Sequence, residues 1–183
     1  MIDSQLRVSG VNDPFALNAM NAVAREDFVP AAAKAHAYID RAVPLGNGKQ
    51  LAAPLFYGRL LAEAAPGPED KVLVVDGGSG YLPALAATLA GSVEVTDPTD
   101  AAQNTRKRGD FSLLLIDGAI EHLPVGLAKR LAEGGRIVTG LVTRGVTRFA
   151  VGRKVGGDVS LMPLAEMGIP ILPEFAEPKG WSF

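Results

Sequence analysis

The chain contains no cysteine. That excludes disulfides, thiolate metal sites and thiol catalysis, and it leaves the redox compartment open. Histidine is nearly as scarce. His36 and His122 have no partner three or four residues away, so no histidine metal site is expected and no metal is assigned. No apolar run approaches the ~18 residues of a membrane span, and the polar opening MIDSQLRVSG lacks the apolar centre of a signal peptide. A cytoplasmic protein with no membrane partner is the expectation. Charge of one sign is missing too: 18 basic and 20 acidic residues leave a net charge of -2, which provides no general basic field for nucleic acid.

What is present is a chain of 183 residues, 48% apolar and 21% charged, enough to build one packed core. A single unit over 1–183 is expected, with 1–66 as a helical lead-in and loop region and 67–183 as the sheet. In the lead-in, VNDPFALNAMNAVA reads as a helix with Asp13 at the N-cap and Pro14 at its first position. DFVPAAAKAHAY reads as a second short helix, 44–54 as a glycine-punctuated loop, and PLFYGRLLAEAA as a helix stopped by PGPED.

From residue 71 strands and helices alternate. KVLVVD, SVEVTD, FSLLLID, RIVTGLV and RFAVGRKV read as strands; GYLPALAATLA, PTDAAQNTRKR and PVGLAKRLAEGG read as the helices between them. FSLLLID is nearly all apolar, as a central strand covered on both faces must be. The pattern predicts an α/β fold with a doubly wound, mostly parallel sheet, in which 72–76, 92–96, 111–117 and 135–142 are neighbours.

VLVVDGGSGY ends a strand in Asp76, Gly77, Gly78, Ser79 and Gly80. Such a turn lies beyond the carboxyl edge of the sheet, where glycines let a ligand approach the backbone and the next helix offers its N–H groups. A dinucleotide fingerprint would need a small residue where Pro83 stands, which disfavours a dehydrogenase. Asp97 ends the second strand, where a carboxylate either accepts hydrogen bonds from ribose hydroxyls or caps the helix at Pro98. Asp117 ends the third strand at the same edge, either lining the adenine or substrate side or serving as a turn aspartate before Gly118.

DSQLRVSGVNDPFALNAMNAVAREDFVP, RAVPLGNGKQLAAP, VLVVDGGSGYLPALAATLA and FSLLLIDGAIEHLPVGLAKRLAEGGRIV, in that order over residues 3 to 138, resemble the protein-L-isoaspartate O-methyltransferase family. The resemblance implies a class I methyltransferase fold and S-adenosylmethionine as cofactor, held by Asp76, Gly77, Gly78, Ser79, Gly80, Asp97 and Asp117. It also implies methylation of isoaspartyl carboxylates in damaged proteins, with 44–54 as the substrate loop.

The chain departs from that pattern in three places. Ala52 stands where the family carries a serine, so no catalytic residue is assigned. Val74 replaces an acid, and Asp76 replaces a glycine beside the cofactor's carboxylate. Like charges ~4 Å apart repel by up to ~4 kcal/mol at an effective dielectric near 20; alternatively, Asp76 turns to the cofactor's ammonium and replaces the lost acid. Between PTDAAQNTRKR and DFSLLLID, roughly 20–30 residues of a βα unit are missing. Arg106 to Arg108 read as a basic patch or as a helix C-terminus. Together the departures predict weak or absent activity, with a silent binding or structural module as the alternative.

Overall fold

In the computed structural model, which describes residues 1–103 and 109–177, the lead-in begins with helical turns at Ile2–Leu6 and Arg7–Ser9. Helix α1 (Pro14–Ala22) starts on Pro14, whose missing N–H would have had no helical partner, and buries Ala16, Leu17, Ala19 and Met20 at helical spacing. Strands β1 (Val43–Gly46) and β2 (Lys49–Leu51) pair antiparallel. Helix α2 (Pro54–Ala64) buries Phe56, Tyr57, Leu60, Leu61 and Ala64, and it ends where Ala65 turns left-handed ahead of Pro66.

The sheet follows. Its elements are β3 (Lys71–Val75), α3 (Tyr81–Ala87), β4 (Ser92–Thr96), α4 (Pro98–Ala102), β5 (Phe111–Ile120), α5 (Val125–Ala128), β6 (Leu131–Thr143), β7 (Val146–Val155) and β8 (Asp158–Glu166). The six strands lie in the order β4-β3-β5-β6-β7-β8. The first four are parallel, and β7 and β8 return antiparallel. The four expected strands are therefore neighbours, and β5 is interior.

Alternation along β3 and β5 explains the two layers. Val72, Val74, Leu113 and Leu115 face α1, α2 and α3, packing with Leu17, Phe56, Leu60 and Leu85. Leu73, Val75, Leu114 and Ile116 face the opposite way, onto Ala101, Leu127, Leu172 and Phe175. Helices on both faces make this the doubly wound α/β architecture read from the sequence.

Several elements differ from expectation. The loop at 44–54 is a hairpin, because Asn47 and Gly48 take the paired positive φ values (51° and 76°) of a tight two-residue turn. DFVPAAAKAHAY forms two 3₁₀ turns, Arg25–Phe28 and Ala31–His36, interrupted at Pro30. The helix expected through PVGLAKRLAEGG is one turn long. Beyond it, β6 already pairs with β5 and bulges: the partner moves from Leu131 to Arg136 while β5 advances only from Phe111 to Leu113. Strand β8, assigned to no element from the sequence, is an edge strand joined to β7 across Gly156 and Gly157. Asp13 sits at the N-cap of α1 without a side-chain cap bond. Among the described residues no strand lies between α4 and β5, so β4 is the other edge; the reading of 106–108 falls outside the described residues.

Leu115 is fully buried in the central strand. Leu115→Ala should destabilise the fold by about 2–5 kcal/mol through lost contacts and a residual cavity, whereas Met162→Ala on exposed β8 should stay within about 0.5 kcal/mol. Urea denaturation monitored by circular dichroism checks both.

Candidate functional site

The turn from β3 into α3 is fastened by its own side chains. The Asp76 carboxylate accepts the Gly80 N–H, at 3.0 Å to Oδ1 and 3.2 Å to Oδ2, while the Asp76 N–H donates to the Thr96 carbonyl at 3.0 Å. Asp76 thus has a role the sequence did not suggest: it closes the glycine turn. Ser79 accepts the Tyr81 N–H at 3.1 Å. Gly80 takes φ 74° at the start of α3, a left-handed conformation that suits glycine.

Asp117 lies where β5 passes beneath this turn, only 4% exposed. Its Oδ1 accepts the Tyr57 hydroxyl at 2.8 Å and its Oδ2 the Ser79 hydroxyl at 3.3 Å. Burial pushes its pKa up to about 7, with Asp76 adding repulsion and the two hydrogen bonds pulling against the shift. Burial, reinforced by Asp117, holds the Tyr57 phenol well above its ordinary value, so Tyr57 remains a donor. Tyr57 also accepts the Ala52 N–H at 3.3 Å. A hydroxyl from α2 thus sits at the backbone of the position whose own side chain has none.

Arg25 braces this arrangement from behind. It is fully buried, donates from Nε to the Ala37 carbonyl at 2.5 Å and from Nη2 to the Ala52 carbonyl. Its guanidinium lies 5.5 Å from the Tyr57 ring centre and 5.3 Å from that of Tyr81. The two tyrosine rings meet edge to face at 4.9 Å.

In front of the turn is a cleft of about 470 Å³. The β1–β2 hairpin supplies one wall, the start of α4 with Asp97 and Asp100 another, and residues 170–174 the third, with Gly77 and Asp117 also lining it. Hydrogen bonds from the Ala119 N–H to Pro170 at 2.8 Å and from the Leu172 N–H to Ala119 at 2.9 Å fix the third wall to β5. Asp97 lines the cleft and caps α4 at once: Oδ1 accepts the Asp100 N–H at 2.9 Å, and Oδ2 has no hydrogen-bond partner among the described residues.

Of the residues singled out from sequence, Gly77, Asp97 and Asp117 reach the cleft, while Asp76, Ser79 and Gly80 shape the turn behind it. Ala52 is buried at 1% exposure outside the cleft wall. Gly78 lies under the side chain of Lys49, a cleft residue that the sequence reading passed over, as it did Tyr57 and the 170–174 wall. The available signals were weak. Tyr57 reads as one more core aromatic on α2, and Lys49 as a solvated hairpin cation. The cleft offers carboxylates to hydroxyl and cationic groups and a buried acid that titrates near neutrality; among the described residues no His, Cys, Asp and Glu cluster suits a metal.

Because Asp117 holds its proton to about pH 7 when folded but only to its ordinary 3.8 when unfolded, its contribution to stability is present at low pH. That contribution falls as pH rises from 3.8 through about 7. Asp117→Asn should flatten this part of the stability profile, measurable by urea denaturation at a series of pH values.

A family model described as Protein-L-isoaspartate(D-aspartate) O-methyltransferase (PCMT) matches residues 1–97, just over half of the chain. A Protein-L-isoaspartate O-methyltransferase of Koribacter versatilis is 32% identical over 181 aligned residues, taking in 86% of this chain and 82% of the relative. Another, from Methylorubrum populi, is 31% identical over 198, taking in 90% of this chain and 92% of the relative. Both alignments are longer than the part of this chain they contain, so both relatives carry stretches with no counterpart here. In three dimensions the fold is similar to a Plasmodium falciparum protein described as a beta-aspartate methyltransferase and solved in complex with S-adenosyl-L-homocysteine. The TM-score is 0.75 at 18% identity, over 92% of this chain and 94% of that one. With the match to the family model and sequence relatives over most of its length, this chain belongs to the protein-L-isoaspartate O-methyltransferase family.

Proposed function

We propose that this protein transfers a methyl group from S-adenosylmethionine to the isoaspartyl carboxylate of damaged proteins. The observation that carries the reading is the convergence, in one cleft, of the glycine turn, Asp97 and the β1–β2 hairpin. The residues present fit the cofactor. Gly77 brings bare backbone to the cleft floor, Asp97 keeps one oxygen for the ribose hydroxyls, and Asp117 offers a polar floor for adenine or substrate. S-adenosylmethionine supplies the chemistry: the acceptor oxygen bonds to the methyl carbon as the bond to sulfur breaks, and sulfur keeps the electron pair.

No general base is required of the chain, because a carboxylate acceptor is already ionised at neutral pH. Its task is alignment, which by itself provides a large share of such an acceleration. An open groove with Arg41, Ala53 and Leu55 along it meets the cleft at Gln50, Pro170 and Ile171, giving a peptide acceptor a route in from the surface. Asp76 accepts the Gly80 N–H, and the buried Tyr57 hydroxyl accepts the Ala52 N–H. Family membership favours the enzyme over a silent module. A cytoplasmic setting is part of the same proposal.

Labelled S-adenosylmethionine incubated with an isoaspartyl peptide, beside the same peptide with ordinary aspartate, tests the activity. Methyl transfer to the isoaspartyl form alone is expected; none above background would overturn the reading. Asp97→Asn preserves the cap acceptor while removing the charge, so it should weaken cofactor binding by about 1.5–3 kcal/mol, read by calorimetric titration. An unchanged affinity would leave Asp97 a helix cap alone.

A further inference from the structure

The charged side chains on the cleft wall are Asp97, Asp100, Asp117 and Glu174, with Lys49 the one cation among the described residues. Lys49 is the first residue of β2, directly after the Asn47–Gly48 turn, and its side chain crosses from the hairpin to the glycine turn. The crossing is close. A Cβ built on Gly78 would lie 2.3 Å from the Lys49 Cδ and 2.8 Å from its Nζ, so the alkyl stem and ammonium lie directly on the bare backbone of Gly78.

Lys49 is exposed, and its ammonium has no partner among the described residues. No carboxylate lies within 4.0 Å of it among the described ion pairs, and it makes none of the described hydrogen bonds, although acidic residues surround the cleft. Though exposed, the side chain is laid over a glycine whose φ of 105° already excludes a side chain of its own. The same turn carries Asp76, whose carboxylate is committed to the Gly80 N–H. An anionic ligand entering over this turn therefore meets added negative charge from Asp76 and positive charge from Lys49.

We propose that Lys49 is the carboxylate-binding cation of the cleft, and that its ammonium takes the carboxylate at the amino-acid end of S-adenosylmethionine. This rests on the methyltransferase reading above. In it, Lys49 offsets the charge of Asp76, and cofactor binding ties the β1–β2 hairpin to the glycine turn. Lys49 is a binding residue in this role and takes no part in breaking the bond to sulfur.

Calorimetric titration of the full chain with S-adenosylmethionine and with its decarboxylated analogue separates the possibilities. The parent protein should prefer the carboxylated ligand. Lys49→Gln should bind S-adenosylmethionine about 10- to 100-fold more weakly, as loss of a charge-assisted hydrogen bond implies, and bind the decarboxylated analogue as the parent does. Lys49→Arg should retain most of the affinity. Equal weakening toward both ligands, or no weakening toward either, overturns the assignment. A raised KM for isoaspartyl peptide with unchanged cofactor affinity also overturns it, moving Lys49 to the acceptor. If the parent binds neither ligand, the methyltransferase reading itself fails, a result distinct from failure of the lysine alone.

Discussion

The chain passes so close to itself between Gly77 and Asp117 that a side chain cannot fit: a Cβ at residue 77 would lie 2.4 Å from the Asp117 carbonyl oxygen. Much of the cleft follows from that approach. Strands β3 and β5 are adjacent and parallel, so their carboxyl ends arrive together, and the bare backbone at Gly77 lets the two exits touch. The touching exits bring Ser79 over the Asp117 carboxylate, and Asp117 in turn binds Tyr57 on α2. One steric constraint thus joins sheet, glycine turn and lead-in into a single polar cluster beneath the cleft.

The charges around this cluster show how a departure from a family pattern can be absorbed. Asp76 follows the end of β3, and Asp117 lies within β5, which continues to Ile120 instead of ending at Asp117 as expected; an unscreened pair of neighbouring carboxylates would be unfavourable. The fold handles them separately. Asp76 is turned to a backbone N–H at the helix start, while Asp117 is buried and tends toward its neutral form near pH 7. The absence of an acid at Val74 fits the same picture, since Val74 is fully buried in the layer shared with Leu113 and Leu115.

Much of this architecture was legible from residue patterns, and the reasons are physical. β3 and β5 are covered on both faces, which forces nearly continuous apolar runs, and α1 and α2 each announce their first position with proline. Legibility failed where local pattern is weak or burial is partial. Strand β8 is exposed along most of its length and carries Pro163, so alternation faded. The β1–β2 hairpin is made of strands of four and three residues, too short to show a period. In the site, Gly77 was marked by the glycine turn, and Asp97 and Asp117 by closing strand-like runs, although β5 continues past Asp117 to Ile120. The Tyr57–Asp117 bond joins residues 60 positions apart, and no local signal could pair them.

The place of β4 at the border of the sheet has a consequence of its own. With no further strand beyond it among the described residues, β4 presents an open row of backbone donors and acceptors, with Val95 half exposed. Such an edge invites pairing with another chain. Brevity is one safeguard, since β4 has only five residues. Glu94 at its centre is another: it pairs with Arg130, which in turn lies 5.1 Å from the Phe111 ring. A carboxylate held in the middle of the border disfavours the insertion of a foreign strand, as charged residues on edge strands do generally.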